Sequence, residues 1–256
     1  MAVSVCALMT TPVKGMRVST VEAIELGELG AEGDRVFYVI DERGRMINGK
    51  QLGQLQTIVP EYDAEAQTLA LTFPDGTRAA GVLDYGETVQ TRFFSAQRDA
   101  RELRGPWSEA LSNQLDRPLR LVRPEIAVDR GREGATSVVS RSSLRRLAEA
   151  AQRDSLDARR FRMLIEVDGI EAHEEDGWVG RRVHVGETTL AMHGHVGRCL
   201  ITSRDPESGE VDLPTLDLLG EYRRDLDGTE PLPFGIYGEV LSGGAVRLGD
   251  PVALAD

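Results

Sequence analysis

Cysteine is nearly absent. The 256-residue chain holds two, Cys6 and Cys199, too few for a disulfide framework or a four-cysteine zinc site. So low a number points to a reducing compartment, although a single Cys6–Cys199 disulfide is not excluded by counting. Positive charge is also scarce. Lys and Arg total 30 against 42 Asp and Glu, a net charge of −12. Non-specific nucleic-acid or anionic-membrane binding wants a basic surface. No nucleic-acid and no membrane partner is therefore expected, while a local basic pocket stays open. No run approaches the ~20 apolar residues of a membrane span, and the first residues, MAVSVCALMTTPVKG, lack a basic leader followed by a cleavage site. The expected location is the cytoplasm. There is no glycine-rich motif of the phosphate-cradling or dinucleotide type and no G-x-S-x-G elbow, so nucleotide-phosphate and serine-hydrolase chemistry have no support.

What is present suits a globular protein. Apolar residues make up 41% and charged residues 28%, enough to bury a core while keeping the surface wet. Residues 2–9 are apolar and β-prone, then Thr10-Thr11-Pro12-Val13-Lys14-Gly15 breaks the strand. Lys14 thus stands in a loop just after a strand, where a side chain can be aimed at a ligand. Residues 33–48, GDRVFYVIDERGRMIN, read as a hairpin turning at Asp41-Glu42-Arg43-Gly44, and a second loop, Asn48-Gly49-Lys50-Gln51, follows. Short strands over 55–62, 68–73 and 87–94, parted by turn residues, suggest a barrel or sandwich. Composition shifts after Phe94. A helix is expected over 107–115 and a strand over 119–122; residues 123–135, rich in charge, Gly and Pro, read as a linker or loop. A strand at 136–139 leads to a serine-capped helix over 140–151. Further strands are expected at 161–167 (with Arg162 at its start), 178–184, 188–193, 236–241 and 246–252, with a helix opening at Pro214.

Residues 192–209, MHGHVGRCLITSRDPESG, concentrate the chemistry. A thiolate, not a thiol, ligates metals and attacks electrophiles, and a neighbouring arginine favours it where the side chains share a face. Arg198 and Cys199 are such neighbours, and soft thiolates suit soft metal centres. Equally, a free cysteine is often only a small buried hydrophobe. His193, His195 and Cys199 fit no familiar zinc spacing. As base for a cysteine nucleophile, His195 qualifies only by proximity in sequence.

The runs GRCLITSRDPESGEV, LGEYRR and PFGIYGEVLSGGAVRLGDPV resemble the MOSC family, related to the C-terminal domain of molybdenum cofactor sulfurase. The N-terminal TPVKGMRVSTVEAIELGELGAEGDRVFYVIDERGRMINGKQ resembles the β-barrel domain that precedes MOSC in the amidoxime-reducing component proteins and their bacterial relatives. The likeness covers nearly the whole chain, with separated motifs in order.

It implies an α+β, mostly β fold: an N-terminal β-barrel-like domain (1–100) followed by a MOSC β-barrel domain (101–256), with a cofactor cleft between them. It further implies a molybdopterin-type molybdenum cofactor, a small N-hydroxylated substrate and a separate electron-donor protein of ferredoxin or flavoprotein type. By the same resemblance Cys199 of the R-C motif ligates molybdenum and is the catalytic residue. Lys14 of P-V-K contacts the phosphate or pterin. Lys50 stands where the family usually has arginine, and Arg162 matches the arginine of F-R-P-N. Arg198 neighbours the ligand, Tyr237 matches F-G-x-Y, and Thr136 and Ser137 supply small polar groups. Two departures matter. Leu164 replaces the asparagine of F-R-P-N, removing a polar contact, and Lys50 lacks arginine's bidentate fork. Two alternatives stay open: a non-redox carrier of cofactor or activated sulfur, with a persulfide on Cys199, and, motivated by Leu164, a metal-free protein using Cys199 in carbon–sulfur chemistry.

Overall fold

In the computed structural model, residues 2–125 and 131–255 are described. The chain is mostly β with three α-helices among those residues, α1 (Trp107–Gln114), α2 (Arg141–Ala150) and α3 (Thr215–Tyr222). The largest sheet has eight strands in the order Val252–Leu254, Arg182–Val185, Thr188–Gly197, Pro233–Ser242, Thr136–Ser140, Ile165–Asp168, Ser4–Thr10, Ser19–Val21. Its one parallel pair, Thr136–Ser140 with Ile165–Asp168, is bridged by α2, as a parallel pair demands a crossover. The first strand of the chain therefore completes the C-terminal sheet, which binds the two halves into one structure. Its core holds Leu8, Val138, Ile165, Val183, Leu190 and Ile236.

The N-terminal half builds a second core. A five-stranded sheet runs Asp84–Phe93, Ala96–Arg104, Leu119–Pro124, Tyr38–Asp41, Met46–Ile47, beside a three-stranded meander over Val59–Asp63, Thr68–Thr72 and Arg78–Val82. Phe37, Leu55, Leu71, Leu121 and Trp107 fill the space between. Trp107 is fully buried, and its indole Nε1–H donates to the Leu69 carbonyl at 3.1 Å, so α1 is fixed to the meander by packing and by a satisfied polar tip.

Several expectations hold. Ser140 caps α2, its hydroxyl accepting from the Ser143 amide, and Leu144 and Leu147 are buried beneath it. The 33–48 hairpin forms as Tyr38–Asp41 and Met46–Ile47. Others need correction. Residues 161–167 are not one strand. A 3-10 turn spans Ala158–Phe161, Arg162 takes the left-handed conformation (φ +56°), and the strand begins at Ile165. The left-handed residue turns the chain so that Phe161 and Ile165 enter different cores. Trp178 ends a 3-10 turn rather than opening a strand. The composition shift after Phe94 is no structural boundary either. A division at 100/101 cuts the strand Ala96–Arg104, which pairs onward with Leu119–Pro124. Of the segment read as a linker, residues 126–130 lie outside the described residues; Arg132 beyond them pairs with Glu28.

Candidate functional site

Cys199 is exposed at the head of a 3-10 turn, Leu200–Ser203, in extended conformation. Its carbonyl accepts from the amide and from the hydroxyl of Thr202, each at 3.0 Å. Thr202 is held in turn. Its carbonyl accepts from the Thr215 hydroxyl at 2.9 Å and from Arg160 Nη1 at 3.3 Å. Arg160 Nη1 also donates to the Arg204 carbonyl at 3.0 Å, and its fork closes on Asp212 at 3.0 and 3.2 Å. Arg160 is 2% exposed, so these charge-assisted bonds act in a dry setting where they are strong.

Arg198 works from the other side. Its Nε donates to the Phe234 carbonyl at 2.9 Å and Nη1 to the Phe161 carbonyl at 2.8 Å, with the guanidinium 5.5 and 5.9 Å from those two rings. Arg160 and Phe161 belong to the same 3-10 turn. The cysteine turn and this turn are therefore tied reciprocally, arginine to carbonyl in both directions. Arg198 points inward to main-chain carbonyls, so its contribution to the thiol is chiefly one of placement.

Close backbone approach brings the N-terminal loops alongside. A Cβ added to Gly15 would lie 3.2 Å from Asn48 Cα, and one added to Gly49 would lie 2.8 Å from Ile201 Cδ1. The Lys14 loop thus abuts the Asn48–Lys50 loop, which abuts the turn after Cys199. Arg17 reinforces the seam, pairing with Glu207 at 2.7 Å. Lys14 Nζ lies 5.6 Å from the ring centroids of Phe93 and Phe94. Lys50 is exposed, and its amide donates to Asn48 Oδ1 at 2.9 Å. The Arg162 carbonyl accepts from Arg35 Nη2 at 2.8 Å; Arg35 pairs with Asp34 at 2.6 Å, and Asp34 accepts from the Thr11 amide at 2.8 Å. That relay couples Arg162 to the chain just before Lys14.

The small polar residues divide. Ser137 Oγ accepts from the Leu164 amide at 3.0 Å, so the main chain at the departure position is already engaged. Thr136 is 1% exposed and its Oγ1 has no hydrogen-bond partner among the described residues. Tyr237 pairs across the sheet with both Ser137 and Gly194. A Cβ at Gly194 would come within 3.1 Å of the Tyr237 hydroxyl. Two surface hollows of about 520 and 550 Å³, on the meander and beside Glu25–Gly30, contain none of these residues.

The histidines serve structure. His195 is 5% exposed; its Nδ1 accepts from the Thr229 amide at 3.2 Å, which leaves the proton on Nε2, 3.6 Å from Asp176 Oδ1. With Nδ1 so committed, His195 is not the base of a cysteine dyad. His193 faces Glu239 at 3.3 Å. Among the described residues no group of three or more His, Cys, Asp and Glu is placed to hold a metal. Arg160, Thr202 and Asp212, which fix the thiol, carry no motif; an arginine next to the apolar Phe161 was the sole hint.

The two cysteines are free and chemically unlike. Cys6 donates to the Glu166 carbonyl and to Glu166 Oε1, both at 3.3 Å. Burial first, then the Glu166 charge, pushes its pKa up to about 12. At pH 8 such a thiol is about one part in 10⁴ thiolate. Iodoacetamide on the native protein is therefore expected to label Cys199 at least about 100-fold faster than Cys6. Mass spectrometry of the two peptides checks this, and comparable rates would contradict the placement of both.

His173 gives a pH prediction. Burial, then the Arg223 charge, pushes its pKa down to about 4 from 6.5. The folded imidazole stays neutral across that window while the unfolded one takes a proton. Its stabilisation is present above pH 6.5 and is lost as pH falls toward 4. The loss is roughly 2 to 3 kcal/mol at about 1.36 kcal/mol per unit, discounted for partial exposure. Neighbouring Glu175 acts oppositely, because burial raises its pKa. His173→Phe isolates the imidazole: the fall in urea midpoint between pH 7 and 4.5 should be visibly smaller in the variant.

Such a site, an exposed thiol on a turn clasped between two β domains and flanked by lysine loops, has a family. The chain belongs to the MOSC family: residues 125–253 match the MOSC domain and residues 2–118 the MOSC N-terminal beta barrel domain. It is similar to mitochondrial amidoxime-reducing component 1 of Xenopus laevis, 27% identical over 97% of this chain and 81% of that protein. The Homo sapiens component 1 is 26% identical over 94% and 79%. Among solved structures, the YUAD protein from Bacillus subtilis superposes over 98% of this chain and 94% of that one, at a TM-score of 0.46 and 12% identity. No helix among the described residues is long and apolar enough to cross a membrane.

Proposed function

We propose that this protein is a molybdenum cofactor-binding oxidoreductase that reduces small N-hydroxylated compounds such as amidoximes, with electrons delivered by a separate protein. The observation that carries this reading is the exposed Cys199 thiol on a fixed turn beside the Lys14 and Lys50 loops. The residues present fit a molybdopterin-type group. It needs a soft sulfur ligand, cations for a phosphate, and donors or acceptors for a polar ring. Cys199 answers the first need, and Lys14, Lys50 and Arg162 the second. The buried, unpartnered Thr136 Oγ1 answers the third, with Ser137 and Tyr237 beside it.

When bound, the cofactor would supply two-electron redox chemistry at a metal centre held by Cys199. Overall, each N–O bond cleaved consumes two electrons and two protons and releases water. The chain's own part is to hold and orient. Arg198 and Arg160 fix the cysteine turn, and the lysines offset the phosphate charge in a protein that is acidic overall. Two free thiols suit a reducing compartment such as the cytoplasm. The relatives' names supply the substrate class.

The test uses protein from a host able to make the cofactor, with benzamidoxime as substrate and reduced methyl viologen as electron source. Benzamidine formation in proportion to molybdenum content is expected. Cofactor-loaded protein without turnover would overturn the oxidoreductase reading in favour of a carrier. Metal-free protein acting on thiol substrates would favour carbon–sulfur chemistry.

A further inference from the structure

The protein is strongly acidic, at −12, yet cations line one path away from the thiol. From Cys199 the path runs through Ile201 to the Gly49–Lys50 loop, then to the Lys14 loop packed on Asn48. Lys14 Nζ lies against the rings of Phe93 and Phe94 at the tip of the hairpin formed by Asp84–Phe93 and Ala96–Arg104. Arg92 Nε donates to the Phe94 carbonyl at 3.4 Å, and Arg92 is bridged to Arg45 on the neighbouring segment. Both arginines are exposed. Among the described residues, neither makes an ion pair with a carboxylate. Two like charges set directly opposite one another destabilise a sheet; the nearby Asp41 carboxylate is taken up by the main-chain amides of Arg43 and Arg45. Between them and Lys14 stands Phe94, 60% exposed and held at φ +53°, a conformation that costs a non-glycine residue energy.

An exposed aromatic beside two exposed arginines is the make-up of an interface centre with a steering rim. We infer that this hairpin tip, with Arg45, Arg92 and Phe94, is the docking face for a small acidic electron-carrier protein. The inference rests on the oxidoreductase reading and deepens it by saying where electrons arrive. Charge complementarity selects the partner. On an acidic body, a local basic track attracts an anionic protein and orients it toward the Lys14 and Cys199 end. The attraction is long-ranged only at low salt, because screening acts over about 10 Å at 0.1 M.

The probe is a plant-type [2Fe–2S] ferredoxin, and the readouts are kept apart. Binding to the full-length protein is measured by surface plasmon resonance across salt concentrations. Wild type is expected to bind with an affinity that falls steeply with salt. Arg45→Glu with Arg92→Glu should weaken binding by about tenfold or more at low salt and flatten the salt slope. Phe94→Ser should weaken binding while leaving the slope unchanged. Turnover of benzamidoxime with methyl viologen, which needs no docking face, should be the same in wild type and in the double-arginine variant, while ferredoxin-driven turnover falls. Equal affinities for wild type and the charge-reversal variant, or no salt-dependent binding by wild type, would overturn the docking face. Failure of viologen-driven turnover in wild type would instead overturn the oxidoreductase reading, leaving the binding result to judge the surface alone.

Discussion

Cys199→Ala is expected to abolish amidoxime reduction while leaving the fold intact. The side chain is exposed, and the bonds that fix the turn run from the Cys199 carbonyl, which alanine keeps. Thermal stability should therefore change by less than about 0.5 kcal/mol, as for surface substitutions generally. Activity should respond very differently. Losing a partner that merely orients a metal ligand costs about 10- to 100-fold, so losing the ligand itself should exceed about 100-fold. The measurement is viologen-driven turnover set beside a melting curve. A variant that retained more than a tenth of wild-type turnover would remove Cys199 from the metal. One that lost activity only by unfolding would show a displaced melting curve.

Arg160→Met should give the reverse pattern, a large loss of stability. Arg160 is 2% exposed and satisfies the carbonyls of Thr202 and Arg204 and both oxygens of Asp212. Methionine fills the volume and takes the arginine donor from the Arg204 carbonyl and Asp212 Oδ1, while the Thr202 carbonyl keeps the Thr215 hydroxyl. Arg153 still reaches Asp212 at 2.9 Å, so the carboxylate is not wholly abandoned. Breaking a buried pair from one side costs about 3 to 5 kcal/mol, and for a chain of this size that is a fall in Tm of about 10 °C. Arg160→Lys keeps the charge, but its single ammonium cannot reach two carbonyls and a carboxylate together, so an intermediate loss is expected. A Tm within about 2 °C of wild type for Arg160→Met would show that the turn is held by other means.

How much of this was legible in the sequence follows from how local each signal is. The Ser140 cap, the Asp41–Gly44 turn and strands such as Thr68–Thr72 depend on neighbours a few residues apart, and they were readable, whereas the strand expected over 55–62 opens as a 3-10 turn, Gly53–Thr57, and pairs only from Val59. The joining of Ser4–Thr10 to the C-terminal sheet was not, because pairing across more than 150 residues leaves no local mark. The break at Arg162 was hidden inside an apolar run. Its left-handed turn is held by Arg35, which is distant in sequence. In the site, motif resemblance brought Cys199, Lys14 and Lys50 to notice, and the structure sets their loops side by side. Arg198, expected beside the thiol, proves to be bound to the Phe161 and Phe234 carbonyls, since a guanidinium next to two aromatic rings gains more there than in water. Thr202 and Arg160 acquire meaning only in the folded chain, where their hydrogen bonds converge on one turn.

The most direct test of the central claim is elemental analysis of the wild-type protein purified from a cofactor-competent host, with Cys199→Ala in parallel. The account predicts molybdenum close to one atom per wild-type chain and almost none in the variant. Equal molybdenum in both, or a wild-type protein that folds and yet carries no molybdenum, would contradict it.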